Sequence, residues 1–130
     1  MKALATCLLT PVFALMPVAD RSPTEVMATL LLTFTHRCTP NQCATLEAIA
    51  GNTAATVEEH TLAQALLGVD HRLHPSDAPR LRAIMADRSQ PELVRVLAEA
   101  LLRVVHVPAE ADRAAILDLL RASNGHVPRE

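Results

Sequence analysis

The sequence predicts an all-α protein of three helical-hairpin repeats, with a period of 35 residues, forming a short α-solenoid or a repeat-derived helical bundle. Two observations carry that expectation. First, His36, His71 and His106 are evenly spaced, 35 residues apart, and they close the similar runs LLLTFTH, ALLGVDH and ALLRVVH. Second, the composition suits helix: 50% of the chain is hydrophobic with Leu and Ala prominent, while Gly is 3 and both Trp and Tyr are absent. A hairpin of this length cannot bury its apolar face alone, so copies gain stability by packing on one another.

Shifting the chain by one period aligns Met27, Leu62 and Leu97; Ala28, Ala63 and Ala98; Leu31, Leu66 and Leu101; Leu32, Leu67 and Leu102; and Phe34, Val69 and Val104. In the second copy Leu62, Leu66 and Val69 stand at i, i+4 and i+7, which is one face of a helix. This is helix A of each unit. A polar or proline-bearing segment follows each histidine. Helix B comes next, with its apolar positions in the columns Leu46, Leu81, Ile116 and Ile49, Ile84, Leu119.

Local chemistry sets the boundaries. Thr39 before Pro40 and Ser22 before Pro23 each place a hydroxyl at an N-cap and a proline at the first helical position; Ser89-Gln90-Pro91 is read the same way for the third helix A. Asp77, Asp112 and the Glu58-Glu59 pair put negative charge in first turns. The expected helices are 23–36, 41–50, 57–71, 76–86, 91–106 and 110–122, in a single repeat domain over 20–123 with a flexible tail at 124–130. The aromatic and glycine signature of tetratricopeptide repeats is missing. The pattern over about residues 22–122 resembles a short HEAT-like α-helical hairpin repeat, which implies stacked hairpins and, as such stacks usually offer, a surface for another protein.

Residues 1–19 carry one early cation, Lys2, followed by an uncharged apolar stretch that stops before Asp20. They read as a secretory signal peptide or, alternatively, as an N-terminal capping helix; Pro11 and Pro17 disfavour a membrane anchor. Export places the chain in the periplasm or outside the cell, and the alternative is the cytoplasm. The 12 basic and 14 acidic residues give a net charge of −2 with no basic cluster, so nucleic acid is not expected as a partner.

Cys38 and Cys43 break the repeat, and five residues of separation allow a disulfide if the turn brings their Cα atoms together. A thiol redox role for Cys38/Cys43 is the alternative. Cys7 would leave with the signal peptide. His71, His74 and Asp77 form a candidate metal site, with a His-x-x-His pair beside a carboxylate. The repeat histidines His36, His71 and His106 are expected to act structurally, each ending a helix A near its late carbonyls. Stacked helices lie about 8–10 Å apart, and on that spacing the three could not share one ion. No catalytic constellation and no cofactor motif is visible. The expected function is a non-enzymatic, exported helical-repeat binding or scaffold protein that recognises another protein through exposed helical positions such as Arg80, Arg82, Arg95 and Arg103. The alternative is a periplasmic metal- or cofactor-binding protein using the His71–Asp77 loop.

Overall fold

The computed structural model describes residues 22–125, and side chains as far as residue 122. The described residues are helical: α1 (Pro23–Leu32), α2 (Pro40–Ala50), α3 (Val57–Gly68), a 3-10 turn (Pro75–Asp77), α4 (Ala78–Ala86), α5 (Glu92–Arg103) and α6 (Glu110–Gly125). The proposed leader at 1–19 lies outside them, as does residue 126 onward of the tail expected at 124–130; Asn124 and Gly125 belong to α6.

Helix starts follow from capping chemistry. Ser22, Thr39 and Thr56 each form a full capping box, with Glu25, Gln42 and Glu59 returning the hydrogen bond. The third helix A departs from expectation. Ser89 does not cap α5; its hydroxyl and N–H donate to Asp87 Oδ1 at 2.6 and 3.0 Å, and Pro91 stands at the N-cap without a side-chain bond. The Ser89 hydroxyl, then its N–H, and then Gln90 hold the Asp87 carboxyl below the usual range. A depressed folded-state value means that this turn's contribution is complete above the ordinary Asp range and is lost as acid carries the pH down through the lowered value.

Helix ends also differ from expectation. The A helices stop at Leu32, Gly68 and Arg103, three to four residues before the histidines rather than at them. Thr33 and Thr35 in the first copy, Val69 in the second and Val104 with Val105 in the third are β-branched residues at these exits, where they weaken helix continuation. Conversely, α6 runs to Gly125, past the expected end at 122.

The aligned columns form the core. Met27, Leu62 and Leu97; Ala28, Ala63 and Ala98; Leu31, Leu66 and Leu101; and Phe34, Val69 and Val104 are all buried, joined by Leu46, Leu81 and Ile116 from the B helices. In the last helix Leu120 is buried, whereas the aligned Leu119 is only partly covered.

The copies close on themselves instead of extending as an open row. The three A helices, α1, α3 and α5, pack against one another; α2 packs on α3, α4 on α5, and α6 returns to α1. The first and last units therefore meet. Closure is what brings the three hairpin loops to one end of the molecule. Glu59 ties the other end: its Oε2 accepts from the N–H and hydroxyl of Thr24, one copy earlier, at 3.1 and 2.7 Å.

Each hairpin is latched where helix A exits toward the first turn of helix B, and the three copies do it differently. In unit three Arg103 donates twice to the buried Asp112, at 3.1 and 2.6 Å, and pairs with Glu99; these carboxylates raise the guanidinium's affinity for its proton further above its usual range. In unit one Gln42 donates to the Thr33 hydroxyl at 3.3 Å. In unit two the matching residues are Gly68 and Asp77, and a Cβ on Gly68 would meet Asp77 Oδ2 at an ordinary 3.5 Å. Gly68→Arg is therefore expected to raise stability by about 1 kcal/mol, from helix propensity together with a new partner for Asp77. An unchanged or lower midpoint in urea would contradict this.

Candidate metal centre

Each hairpin loop reverses direction at its histidine. Thr35 pairs with Arg37, Asp70 with Arg72, Val105 with Val107, and Arg72 with Val105, as isolated backbone bridges around the three tips. Such tight reversals need an unusual backbone. His36, His71 and His106 have φ of 54°, 70° and 67°, and they are the non-glycine residues with positive φ among those described. In the first and third loops the N–H of Arg37 and of Val107 returns to the carbonyl two residues back, which is the rarer, positive-φ form of the γ-turn. The left-handed region favours glycine and strains other residues by about 1–2 kcal/mol each. All three copies nevertheless carry histidine there, so the side chain is what the position supplies.

A ring of backbone hydrogen bonds links the tips. The His36 N–H donates to the His106 carbonyl at 2.5 Å, His71 to His36 at 2.6 Å, and His106 to His71 at 2.6 Å. The three rings lean toward the same axis with centroids 4.9 Å apart and planes inclined by 70–78°. Their Nδ1 atoms form a nearly equilateral triangle, with edges of 3.0 Å (His36–His71), 3.1 Å (His71–His106) and 3.0 Å (His106–His36). Among the described residues this is the group of histidine, cysteine or acidic side chains whose ligand atoms gather closely enough for one ion.

This corrects the expectation that the repeat histidines could not meet. That expectation took successive copies to be displaced along a stack; closure instead rotates them about a common axis, and a residue near the axis then lies beside its own counterparts. The three histidines, expected in structural roles at the ends of the A helices, are also brought together at one point. These residues lie beyond the helix A ends, and their Nδ1 atoms face one another.

The triangle poses a proton problem. An imidazole Nδ1 has one in-plane site, which is either an N–H donor or a lone-pair acceptor. Three such atoms in mutual contact can match donor to acceptor in at most two of the three pairs. The third pair is left with two lone pairs or two protons face to face. A cation on the axis removes the conflict, because all three lone pairs then point at positive charge. The size fits. The triangle's centre lies about 1.8 Å from each nitrogen, so an ion with bonds of about 2.1 Å stands about 1 Å out of the plane. At that bond length, nitrogen separations run from about 3.0 Å for right-angled coordination to about 3.4 Å for tetrahedral coordination, and the triangle sits at the right-angled end of this span.

The other sequence candidates behave differently. His74 does not join His71: its Nδ1 accepts from the Ser76 N–H at 3.2 Å and lies 2.8 Å from the Ser76 hydroxyl, as a local cap on the 3-10 turn. Asp77 faces the end of α3 at Gly68. The proposed His71, His74, Asp77 set is thus divided, and only His71 belongs to the converging group. His60 is also occupied elsewhere, with Nε2 2.6 Å from the Asn52 carbonyl. Cys38 and Cys43 are joined as a disulfide with Cα atoms 5.3 Å apart. The bond fastens the loop that carries His36 to the first turn of α2. Cys38→Ser with Cys43→Ser is expected to lower stability by about 2 kcal/mol, by the chain-entropy estimate for so short a loop. A denaturation midpoint equal to that of the oxidised protein would contradict it.

Outside the triangle, Asp70 Oδ1 lies 3.6 Å from His71 Nε2 and 3.7 Å from the Arg37 guanidinium. All three histidines are exposed, so the outer face of the triangle opens to solvent. No family model, curated protein or solved structure matches this chain. No helix among the described residues is long and apolar enough to cross a membrane.

Proposed function

We propose that the chain binds one first-row divalent metal ion through Nδ1 of His36, His71 and His106. One observation carries the reading: a triangle of Nδ1 atoms with 3.0–3.1 Å edges, which protons alone cannot satisfy, on an axis fixed by the fold. Imidazole donors suit zinc, copper, nickel and cobalt, and the protein's selection among these would come from geometry and supply rather than from raw affinity. Three protein donors and an open face match the pattern of exchangeable centres more than that of closed structural ones.

The expected protein-binding scaffold, recognising a partner through exposed helical positions such as Arg80 and Arg82, rests on repeat architecture alone. The metal reading is preferred because it is supported by the convergence of three named ligand atoms. Export remains part of the proposal. The Cys38–Cys43 disulfide suits an oxidising compartment, and residues 1–19 would then be removed as a leader. The intact mass of protein from its native host should correspond to a chain without residues 1–19 and with its two remaining thiols oxidised.

The metal reading is tested by loading. Untagged protein, stripped with chelator, exposed to zinc and then dialysed, should retain one equivalent per chain. The triple variant His36→Gly, His71→Gly, His106→Gly should retain none. Equal retention by the two proteins would refute the assignment.

A further inference from the structure

The six residues that flank the histidines differ among the copies, although the histidines do not. They are Thr35 and Arg37, Asp70 and Arg72, and Val105 and Val107, and all six are exposed. Symmetry therefore builds the centre, while the rim around it is asymmetric. Two chemical facts follow. Three neutral imidazoles leave the full charge of a divalent ion uncompensated, and the rim adds two arginines against one aspartate. The open coordination face is thus strongly electropositive and calls for an anionic ligand. The third loop presents two apolar side chains instead, with Val105 and Val107 each 47% exposed beside His106.

We propose that the open face of this centre takes a carboxylate bearing an apolar tail as the metal's exogenous ligand. The carboxylate binds the ion on the side of Arg37 and Arg72, and the tail lies over Val105 and Val107. The backbone bridge between Arg72 and Val105 makes the cationic and apolar parts of the rim immediate neighbours, within the span of one small amphiphilic acid. A monocarboxylate suits the rim better than a polyanion, because Asp70 stands between the two arginines in sequence and its carboxylate already approaches Arg37 at 3.7 Å. The inference rests on the metal reading above.

Cobalt(II) in place of zinc gives the test, since its visible bands report ligand exchange directly. Full-length protein loaded with one equivalent of cobalt is titrated with acetate, hexanoate and inorganic phosphate. Both carboxylates should shift the bands saturably, with hexanoate binding about tenfold more tightly through partial burial of its chain. Arg37→Gln with Arg72→Gln should weaken both by about fivefold without changing cobalt stoichiometry. Val105→Ser with Val107→Ser should abolish the preference for hexanoate. Bands that do not move with carboxylate would overturn the inference while leaving metal binding intact. So would equal affinities for acetate and hexanoate, or tighter binding of phosphate than of hexanoate. Failure to bind cobalt at all would instead count against the metal reading itself.

Discussion

His71→Gly is expected to eliminate metal-dependent stabilisation while leaving the metal-free fold within about 1 kcal/mol of the original. The two effects separate because the backbone at His71 has φ 70°, where glycine is at ease, whereas the Nδ1 atom has no substitute. For the unaltered protein, free metal at about one hundred times its dissociation constant adds about 2.7 kcal/mol. For a domain near one hundred residues that corresponds to a rise in melting temperature of about 10–20 °C. The variant should show no such rise. A residue serving only to cap a helix would give the reverse pattern, with a clear loss of metal-free stability and an undiminished response to metal. Scanning calorimetry with and without zinc distinguishes the two.

The second large effect tests closure. Leu31, Leu66 and Leu101 occupy the same column on three different A helices, and their exposures are 0%, 1% and 0%. Each Leu→Ala substitution should cost about 3–5 kcal/mol, the range for a well-packed leucine whose cavity does not collapse. That is a large share of a typical domain's stability. More telling than the size is the equality. In an open array the end units have one free side, so the middle substitution would be the most damaging. In a closed triple each A helix touches the other two, and the three losses should agree to within about 1 kcal/mol. A middle variant much worse than both others, measured by urea denaturation, would contradict the closed packing.

Much of the fold could be read from the chain because it depends on spacing along each copy. The 35-residue period fixed which leucines share a column, and the structure buries those columns. Capping residues such as Ser22 and Thr39 marked helix starts through chemistry confined to a few neighbouring residues. The relation between copies is another matter. A period states that the units are alike; the rotation from one to the next is set by how side chains of different units interlock, which a repeat count does not encode. One signal was present. A terminal unit of an open array needs a polar outer face, yet Leu31 and Leu101 at the ends are as apolar as Leu66 in the middle.

The candidate site was hidden for the same reason. With copies displaced along a line, His36, His71 and His106 serve only as a ruler; with copies turned about an axis, they become neighbours. The His-x-x-His spacing pointed instead to His74 and Asp77, but His74 Nδ1 is taken up by Ser76 in its own loop and Asp77 faces Gly68 of its own hairpin. The Cys38–Cys43 bond was readable because it depends on five residues of local chain rather than on packing among units.

The central claim is that closure of three copies aims three Nδ1 atoms at one metal ion. Long-range proton–nitrogen NMR of the imidazole rings, recorded before and after one equivalent of zinc, tests it most directly. The prediction is that the Nδ1 resonances of His36, His71 and His106 move together into the metal-bound range, with saturation at one equivalent, while His60 and His74 keep their positions. Zinc-dependent shifts confined to His71 and His74, or coordination through Nε2 of separate histidines, would contradict it.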